Sequence, residues 1–236
     1  MFYPYSFSYF YILIPPMILA LYAQSKVGST FNKYSRVSNS RGFTGADVAR
    51  QLLNASGIYD VTVERVRGNL TDHYDPRTKT LRLSDSVYGS TSIAAIGVAA
   101  HETGHAIQHD TGYAFLKLRS AMVPITNIGS NLAMPLIFLG VLIGGMAGSS
   151  FGYTIIQLGI VLFSVAVAFS LITLPVEFDA SKRAIEALGM YNFLSEEELK
   201  PAKKVLSAAA LTYVASAAVA IANLLRLVLL FGRRDD

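Results

Sequence analysis

The chain has 236 residues, of which 52% are hydrophobic and only 15% are charged, and it contains no cysteine. A typical soluble domain has roughly 25% charged residues, so this balance argues against a single water-soluble globule. Without cysteine, disulfides and thiolate ligands are excluded, and any metal must be held by histidine and carboxylate side chains. The net charge is +4, and the positively charged residues avoid the longest apolar runs. This distribution suits membrane topology and not nucleic-acid binding.

Four stretches are long and apolar enough to cross a hydrocarbon core of about 30 Å as helices. They cover about 7–22, 132–146, 153–174 and 205–231, and the second is expected to begin as early as Val123. The first is predicted to be a retained anchor, since no basic residue precedes it and no small-residue cleavage site follows it. Only the uncharged segment 147–152 separates the second and third stretches, so these two are expected to form a hairpin.

Basic residues near the ends of these stretches predict the orientation in the membrane. Three groups fall on one side if all four helices span: Lys26, Lys33 and Arg36; Lys117 and Arg119; Lys182, Arg183, Lys203 and Lys204. This side is predicted to face the cytoplasm, although Arg233 and Arg234 indicate the opposite orientation.

The polar region between the first two stretches is large enough to fold as a small domain. Its predicted elements are a helix at 44–54, strands at 61–66 and 81–83, and a helix at 92–109. Thr44 is a plausible N-cap of the first helix, and Gly57 is its stop signal.

The last of these helices contains the pattern H-E-x-x-H at residues 101–105. His101 and His105 point about 40° apart and lie about 6 Å apart along the axis, so both imidazoles can reach one ion. Glu102 lies beside this pair, where a carboxylate can take a proton from water. The pattern therefore predicts a metal site. The alternative is that H-E-x-x-H occurs here by chance in a protein that binds no zinc.

A catalytic zinc usually takes three protein ligands and leaves one position for water, so a third ligand is needed. The extended metzincin pattern is excluded, because Gln108 and Thr111 stand where it requires Gly and His. His109 lies about 12 Å from His101 along a regular helix and cannot share the same ion.

Glu177 is the favoured third ligand. It directly follows the third apolar stretch, where an unpaired carboxylate is costly and usually has a partner. The hairpin also returns the chain to the side that it left, which brings Glu177 towards His101. The glutamates at 196–198 are better explained as the capped start of a helix, and Glu186 as a surface partner of Arg183. An ordinary juxtamembrane acid remains the alternative for Glu177.

Beyond the zinc motif, the chain resembles the YugP-like family of membrane-bound neutral zinc metallopeptidases over nearly its whole length. The stretches that carry this resemblance are LYAQSKVGSTFNKYS, SRGFTGADVAR, LTDHYDPRTKTLRLSDSVYG, SIAAIGVAAHETGHAIQH, LKLRSAMVPITNIGSNL and LPVEFDASKRAIEAL. The resemblance implies a multi-pass peptidase of the bacterial cell membrane. It also implies one catalytic zinc ion held by His101, His105 and Glu177, with Glu102 as the catalytic residue.

A more distant similarity is to the prenyl-protein and heat-shock membrane proteases, in which an aspartate follows the glutamate ligand four residues later. Here Ser181 stands at that position, and the nearby acid is Asp179. On a regular helix Asp179 points about 160° away from Glu177. It therefore either orients a zinc histidine through an irregular backbone or pairs with Lys182 or Arg183.

Two other histidines have weaker claims to a role. His73 is either a contact for substrate or transition state or a plain loop histidine. His109 either lines the cleft or, preferably, caps the helix end through a favourable dipole interaction. A substrate lying along the strand at 81–83 would gain backbone hydrogen bonds from an open sheet edge, which favours unfolded or extended chains.

The predicted fold is predominantly α-helical, with integral membrane helices and a small α+β, zincin-like (gluzincin-type) catalytic domain at the membrane surface. Its parts are an N-terminal anchor (1–25), a zincin-like region (26–126), a transmembrane hairpin (127–176), a juxtamembrane helix and loop with the third zinc ligand (177–204) and a C-terminal transmembrane helix (205–236).

The predicted function is that of a zinc-dependent endopeptidase acting on membrane-associated or unfolded proteins, with zinc-activated water and Glu102 as general base. The lipid bilayer is an implied partner. Two further kinds of partner are left undecided, namely other membrane proteins and additional copies of this chain. One alternative is a membrane-anchored zinc scaffold or adaptor, which a fourth ligand such as His73 would favour. A channel component is disfavoured, because the spanning stretches carry almost no ionisable residues.

Overall fold

The computed structural model describes the backbone of residues 4–147 and 149–232, and the side chains of residues 9–144 and 149–232. The described chain is predominantly helical and contains one three-stranded sheet. The helices are α1 (Ile14–Tyr34), α2 (Gly45–Ala55), α3 (Ile93–Asp110), α4 (Ala114–Ala147), α5 (Ser150–Met190) and α6 (Glu196–Phe231), with a 3-10 helix at Pro4–Leu13. The strands are β1 (Thr62–Val66), β2 (His73–Asp75) and β3 (Thr80–Ser84).

The chain divides into two compact units. The membrane unit comprises Met1–Tyr22, Leu118–Leu174 and Tyr213–Asp236. The site unit comprises Ala23–Lys117 and Pro175–Thr212.

Four helices in the described part of the chain are long and apolar enough to cross a membrane: Tyr9–Tyr34, Ala114–Gly144, Ser150–Met190 and Glu196–Phe231. Each contains one of the predicted apolar stretches or most of it, and each extends further into polar sequence. Pro15 and Pro16 do not interrupt α1, because they lie in its first turn, where backbone N–H groups lack helical partners.

Helices α4 and α5 pack closely within the membrane unit through glycines. A Cβ atom at Gly140 would lie 2.7 Å from the carbonyl oxygen of Gly152, and one at Gly159 would lie 2.9 Å from that of Ala133. Small residues allow helix backbones to approach in a membrane. The two helices therefore pack side by side, as the predicted hairpin requires.

In the site unit, β3 is the central strand of the sheet, which has the order β1-β3-β2. Strand β1 runs parallel to β3 and places Thr62 opposite Thr80, whereas β2 runs antiparallel and places Tyr74 opposite Leu81. The expectation that a substrate pairs along 81–83 is therefore wrong, because both edges of β3 are already hydrogen-bonded. The short strand β2 was not predicted.

Helix α2 begins and ends as its sequence predicts. Thr44 is the N-cap, and its side chain and that of Asp47 accept each other's backbone N–H groups in a capping box. Hydrogen bonds from the side chain and the backbone of Thr44 hold the pKa of Asp47 below its usual value. Gly57 follows the helix with a φ of 75°, a conformation that glycine adopts without steric cost.

Two buried hydrophobic clusters place α3 at the centre of the site unit. One cluster joins α3 to α2 and to the sheet, with Leu53, Leu81 and Ala99 among its members. The other joins α3 to α2, α5 and α6, with Ile96 and Leu188 among its members. Since α3 is covered on both sides, Glu102, Thr103, His105 and Gln108 are buried, whereas Asp110 at the helix end is exposed.

Candidate metal centre

Helix α3 carries the predicted metal-binding motif. The helix begins after Ser92, whose side chain accepts a hydrogen bond from the backbone N–H of Ala95. Glu102 and His105 are buried in it, and His101 is half-buried. The motif therefore lies in a well-capped helix, as the sequence predicts.

A glycine inside the motif lets α5 approach α3. A Cβ atom at Gly104 would lie 2.5 Å from the carbonyl oxygen of Ala180, a contact that no real side chain accommodates without a shift. Glu177 precedes Ala180 by almost one helical turn and therefore lies on the same side of α5. The close crossing brings the Glu177 carboxylate to the two imidazoles.

The three predicted ligands meet at one point. The Oε2 atom of Glu177 lies 3.3 Å from the Nε2 atom of His101 and 3.8 Å from the Nε2 atom of His105. One ligand atom from each of the three residues lies within 4.8 Å of the other two, and the Glu177 side chain is only 2% exposed. Zinc at about 2.0–2.1 Å from tetrahedral ligands separates them by about 3.3 Å. The donor set and the two distances from Glu177 are therefore compatible with a zinc ion.

Gln108 orients one of these imidazoles. Its Nε2 atom donates to the carbonyl oxygen of Val176 and to Oδ2 of Asp179, each at 2.8 Å. Both amide hydrogens are thereby used, so Oε1 is the acceptor for Nδ1–H of His105 at 3.0 Å. This arrangement leaves the lone pair of His105 on Nε2, the atom that faces Glu177, as a metal ligand requires.

Two residues that follow Glu177 support the histidines in different ways. Ser181 contacts His101 directly, with its Oγ atom 3.1 Å from Nδ1. Asp179 reaches His105 only through Gln108, and it also accepts a hydrogen bond of 2.6 Å from Nε of Arg183. The predicted ion pair with Arg183 is therefore present. The irregular backbone of the other alternative is not, because α5 is continuous over Ser150–Met190, and Gln108 mediates between Asp179 and His105.

One predicted surface pair is wrong. Glu186 pairs with Lys182, one turn earlier on α5, at 3.8 Å. Arg183 is already engaged by Asp179, so it is not the partner of Glu186.

The charges around His105 favour a cation at the site. Burial lowers the pKa of His105, but its hydrogen bond to Glu177 and the negative charges of Glu102 and Glu177 outweigh this effect and raise it. Buried carboxylates that favour an imidazolium also favour a metal cation in its place. The negative charge of Glu102 therefore acts on His105.

The other two histidines lie outside the ligand cluster. His109 contacts the Tyr74 hydroxyl through Nδ1 at 2.8 Å, which ties α3 to β2. Burial raises the pKa of Tyr74 to about 12, so the phenol stays protonated at neutral pH. The exposed His73 contacts the carbonyl oxygen of Thr71 through Nδ1 at 2.9 Å, and its role towards substrate stays a prediction.

Sequence reasoning missed two residues that shape this site, Gly104 and Gln108. Gln108 served only to exclude the metzincin pattern, although its position three residues after His105 places it on the same helical face. That spacing was the available signal. Nothing in the local sequence marks Gly104, because its importance depends on the backbone of α5.

The chain also matches known proteins. The family model described as "Putative neutral zinc metallopeptidase" matches residues 9–232. The chain belongs to this family. It is also 50% identical over 229 residues to the "Putative membrane protease YugP" of Bacillus subtilis (strain 168), a match that covers 97% of this chain and 99% of that relative. No solved structure matches this family member.

These matches confirm the resemblance noted in the sequence. Together with the four helices of spanning length, they show that this family member is a membrane protein. The ligand cluster is compatible with the metal in the family's description.

Proposed function

We propose that the protein is a zinc metalloendopeptidase with one ion held by His101, His105 and Glu177. The observation that carries this proposal is the meeting of these three side chains within 4.8 Å in a buried part of the site unit. Among the residues that the structure describes, no fourth His, Asp or Glu joins the group. Three protein ligands are typical of catalytic zinc, whereas a structural site is usually closed by four. A zinc scaffold that cleaves nothing is therefore less favoured.

The chemistry follows from the residues around the ion. Bound zinc would polarise a peptide carbonyl and lower the pKa of water. Glu102 accepts the proton of the attacking water and passes it to the leaving amine. Gln108 and Ser181 hold the imidazoles in the orientation that directs their Nε2 atoms to one point. The helix that carries H-E-x-x-H and the glutamate from a later helix support a zincin-like arrangement of the gluzincin type.

Substrates are proposed to be extended segments of membrane-associated or unfolded proteins. Because β3 is paired on both sides, we infer that a substrate strand adds to the edge strand β2. The hydrogen bond between Tyr74 and His109 supports this choice, since it holds β2 against the helix that carries the motif. The name of the relative, a membrane protease, supports a substrate at the bilayer.

We place the site unit at the cytoplasmic surface of the cell membrane. Lys26 and Lys33 near the end of α1 and Lys203 and Lys204 near the start of α6 line one groove of the site unit. Basic residues flanking spanning helices favour the cytoplasmic side, so their shared location supports this orientation.

The test combines zinc content with cleavage of an unfolded protein such as casein, using the purified full-length chain. Glu102→Gln should retain zinc and lose at least about 100-fold in cleavage rate, because the proton acceptor is removed. Glu177→Gln should lose both zinc and activity. Glu186→Gln is the matched control, since Glu186 is an exposed carboxylate on the same helix, and it should behave as the parent protein.

Two results would overturn the proposal. Cleavage by Glu102→Gln at the parent rate would remove the assigned base. Full zinc content in Glu177→Gln would remove the assigned third ligand.

A further inference from the structure

A groove separate from the metal centre lies between α1 and α6 in the site unit. Its volume is about 800 Å³. Five lysines line it: Lys26 and Lys33 from α1, and Lys200, Lys203 and Lys204 from α6. We call it the lysine groove.

Helical spacing explains why these side chains converge. Lys26 and Lys33 are seven residues apart and lie on one face of α1, and Lys200 and Lys204 are one turn apart on one face of α6. Between the two faces, Phe31 of α1 and Val205 of α6 belong to one buried cluster with Ala94 of α3. This packing holds the lysine-bearing faces side by side.

Among the described residues, the lysines of the groove lack acidic partners, and Lys33 has an aromatic contact, with Nζ 5.4 Å from the centre of the Tyr34 ring. All five lysines are exposed, and no aspartate or glutamate lines the groove. Within the described part of the chain, none of the five forms an ion pair with a carboxylate, whereas Lys79 and Lys182 both do. Like charges that line one groove repel one another, so the groove favours a ligand with several negative oxygens.

The lysine groove also has an apolar part. Ala208 and Leu211, further along α6, line it together with the lysines. Both helices belong to segments of spanning length, and the apolar sequence of α1 precedes Lys26 while that of α6 follows Lys204. An occupant at this position has its charge among the lysines and hydrocarbon nearby, which describes a phospholipid and not a free ion.

We propose that the lysine groove binds the headgroup of an anionic phospholipid of the surrounding bilayer. Phosphate oxygens accept from the ammonium groups, and the start of the acyl chains lies against the apolar lining. Basic pockets between helices at the membrane surface recognise anionic lipids by this chemistry. Lipid binding does not require peptidase activity, so it can be tested independently of the proposed function.

The test measures lipid binding to the full-length protein in a neutral detergent, which avoids any change in membrane insertion. Phosphatidylglycerol and phosphatidylcholine are titrated, and bound lipid is counted by native mass spectrometry. The parent protein should bind phosphatidylglycerol more tightly than phosphatidylcholine. The triple variant Lys33→Gln/Lys200→Gln/Lys203→Gln should bind phosphatidylglycerol about 100-fold more weakly, because each lost lysine lowers the affinity about five-fold.

Matched variants separate the groove from net charge. Arg41→Gln/Arg67→Gln/Arg77→Gln removes the same charge from exposed positions outside the groove and should bind as the parent does. Replacing the same three lysines by arginine keeps the charge and should preserve binding. Zinc content, measured on every variant, should stay at the parent value.

Several results would overturn the proposal. One is an equal loss of lipid binding in the triple lysine-to-glutamine variant and in Arg41→Gln/Arg67→Gln/Arg77→Gln. Another is a parent protein that does not discriminate between the two lipids. Displacement of phosphatidylglycerol by inorganic phosphate would assign the groove to a free anion, and displacement by a polyglutamate peptide would assign it to an acidic protein segment.

Discussion

The side-chain amide of Gln108 sets the tautomer of His105, with its Oε1 atom 3.0 Å from the imidazole Nδ1 atom. The amide is held in turn by Asp179, and Asp179 is held by Arg183. The proposed metal ligand His105 on α3 is thereby oriented by an ion pair that lies entirely on α5. Such supporting contacts decide whether an imidazole presents its lone pair to the metal.

Replacing Gln108 by leucine should weaken zinc binding by about 10- to 100-fold, the usual cost of losing a contact that orients a ligand. His105 then loses the acceptor of its Nδ1–H, and Asp179 loses a donor. Zinc affinity measured by competition with a chelator checks this expectation. Gln51→Leu, at an exposed position of α2, is the control, and equal affinities in the two variants would contradict the role of Gln108.

Replacing Gly104 by alanine should separate α3 from α5. The added Cβ atom would lie 2.5 Å from the Ala180 carbonyl oxygen, so the unfolding free energy should fall by about 1–3 kcal/mol and zinc content should drop. Thermal unfolding and metal analysis measure the two effects.

Gly97 provides the matched control, because it lies on the same helix and its Cβ would lie 3.8 Å from the nearest atoms, in Ala202. Gly97→Ala should therefore keep both stability and zinc. If Gly104→Ala were as stable and as rich in zinc as Gly97→Ala, the close crossing would not be required.

Replacing Ser181 by aspartate should tighten zinc binding or leave it unchanged. Ser181 lies 3.1 Å from Nδ1 of His101, and a carboxylate is a stronger acceptor for that N–H group than a hydroxyl. Ser181→Ala, which removes the acceptor, should weaken binding. Competition with a chelator measures the zinc affinity of both variants. Weaker zinc binding by Ser181→Asp than by Ser181→Ala would refute the role of Ser181 as an acceptor.

The half-buried carboxylate of Asp72 predicts a pH-dependent stability difference. Burial raises its pKa, although Ser84 donates to it from its backbone N–H at 2.7 Å and from its hydroxyl at 2.9 Å. Ionisation of Asp72 therefore costs stability at neutral pH. In Asp72→Asn the Oδ1 atom still accepts from the backbone N–H of Ser84, and the Nδ2 group donates to the Ser84 hydroxyl where the carboxylate accepted from it. The neutral side chain should therefore raise the melting temperature at pH 8, by about 2–4 °C for each kcal/mol gained at this size.

The sign of the pH dependence follows from linkage. A carboxyl whose pKa is raised by folding binds its proton more readily in the folded state, so the parent protein recovers stability as the pH falls. The advantage of Asp72→Asn should therefore shrink between pH 8 and about pH 4. Melting curves across this range measure the difference in melting temperature between Asp72→Asn and the parent. A difference that grows as the pH falls would contradict a raised pKa of Asp72. Asp72→Ala loses both contacts and should melt below the parent at every pH.

Local patterns in the sequence predicted the features that depend on near neighbours. The spacing of His101 and His105 follows from the period of a single helix, and Thr44 and Gly57 mark the ends of α2 by their own conformational preferences. Glu177 could be favoured as a third ligand because its position after an apolar stretch is costly for a carboxylate without a partner.

Other features could not be predicted, because they depend on residues far apart in the chain. Strand β2 is only three residues long, too short for a period, and the central position of β3 depends on which strands pair. The Cβ clash at Gly104 involves the backbone of Ala180, and the lysine groove needs α1 and α6 to lie side by side.

The sequence by itself determined the chemistry available to this protein, namely two imidazoles and a neighbouring carboxylate on one helix, within a chain apolar enough for a membrane. Only the tertiary structure decided which groups act together, placing Glu177 beside both imidazoles and Gln108 behind one of them. The reason is physical. Spacing within a helix is set by backbone geometry over a few residues, whereas a meeting between α3 and α5 depends on how their surfaces pack.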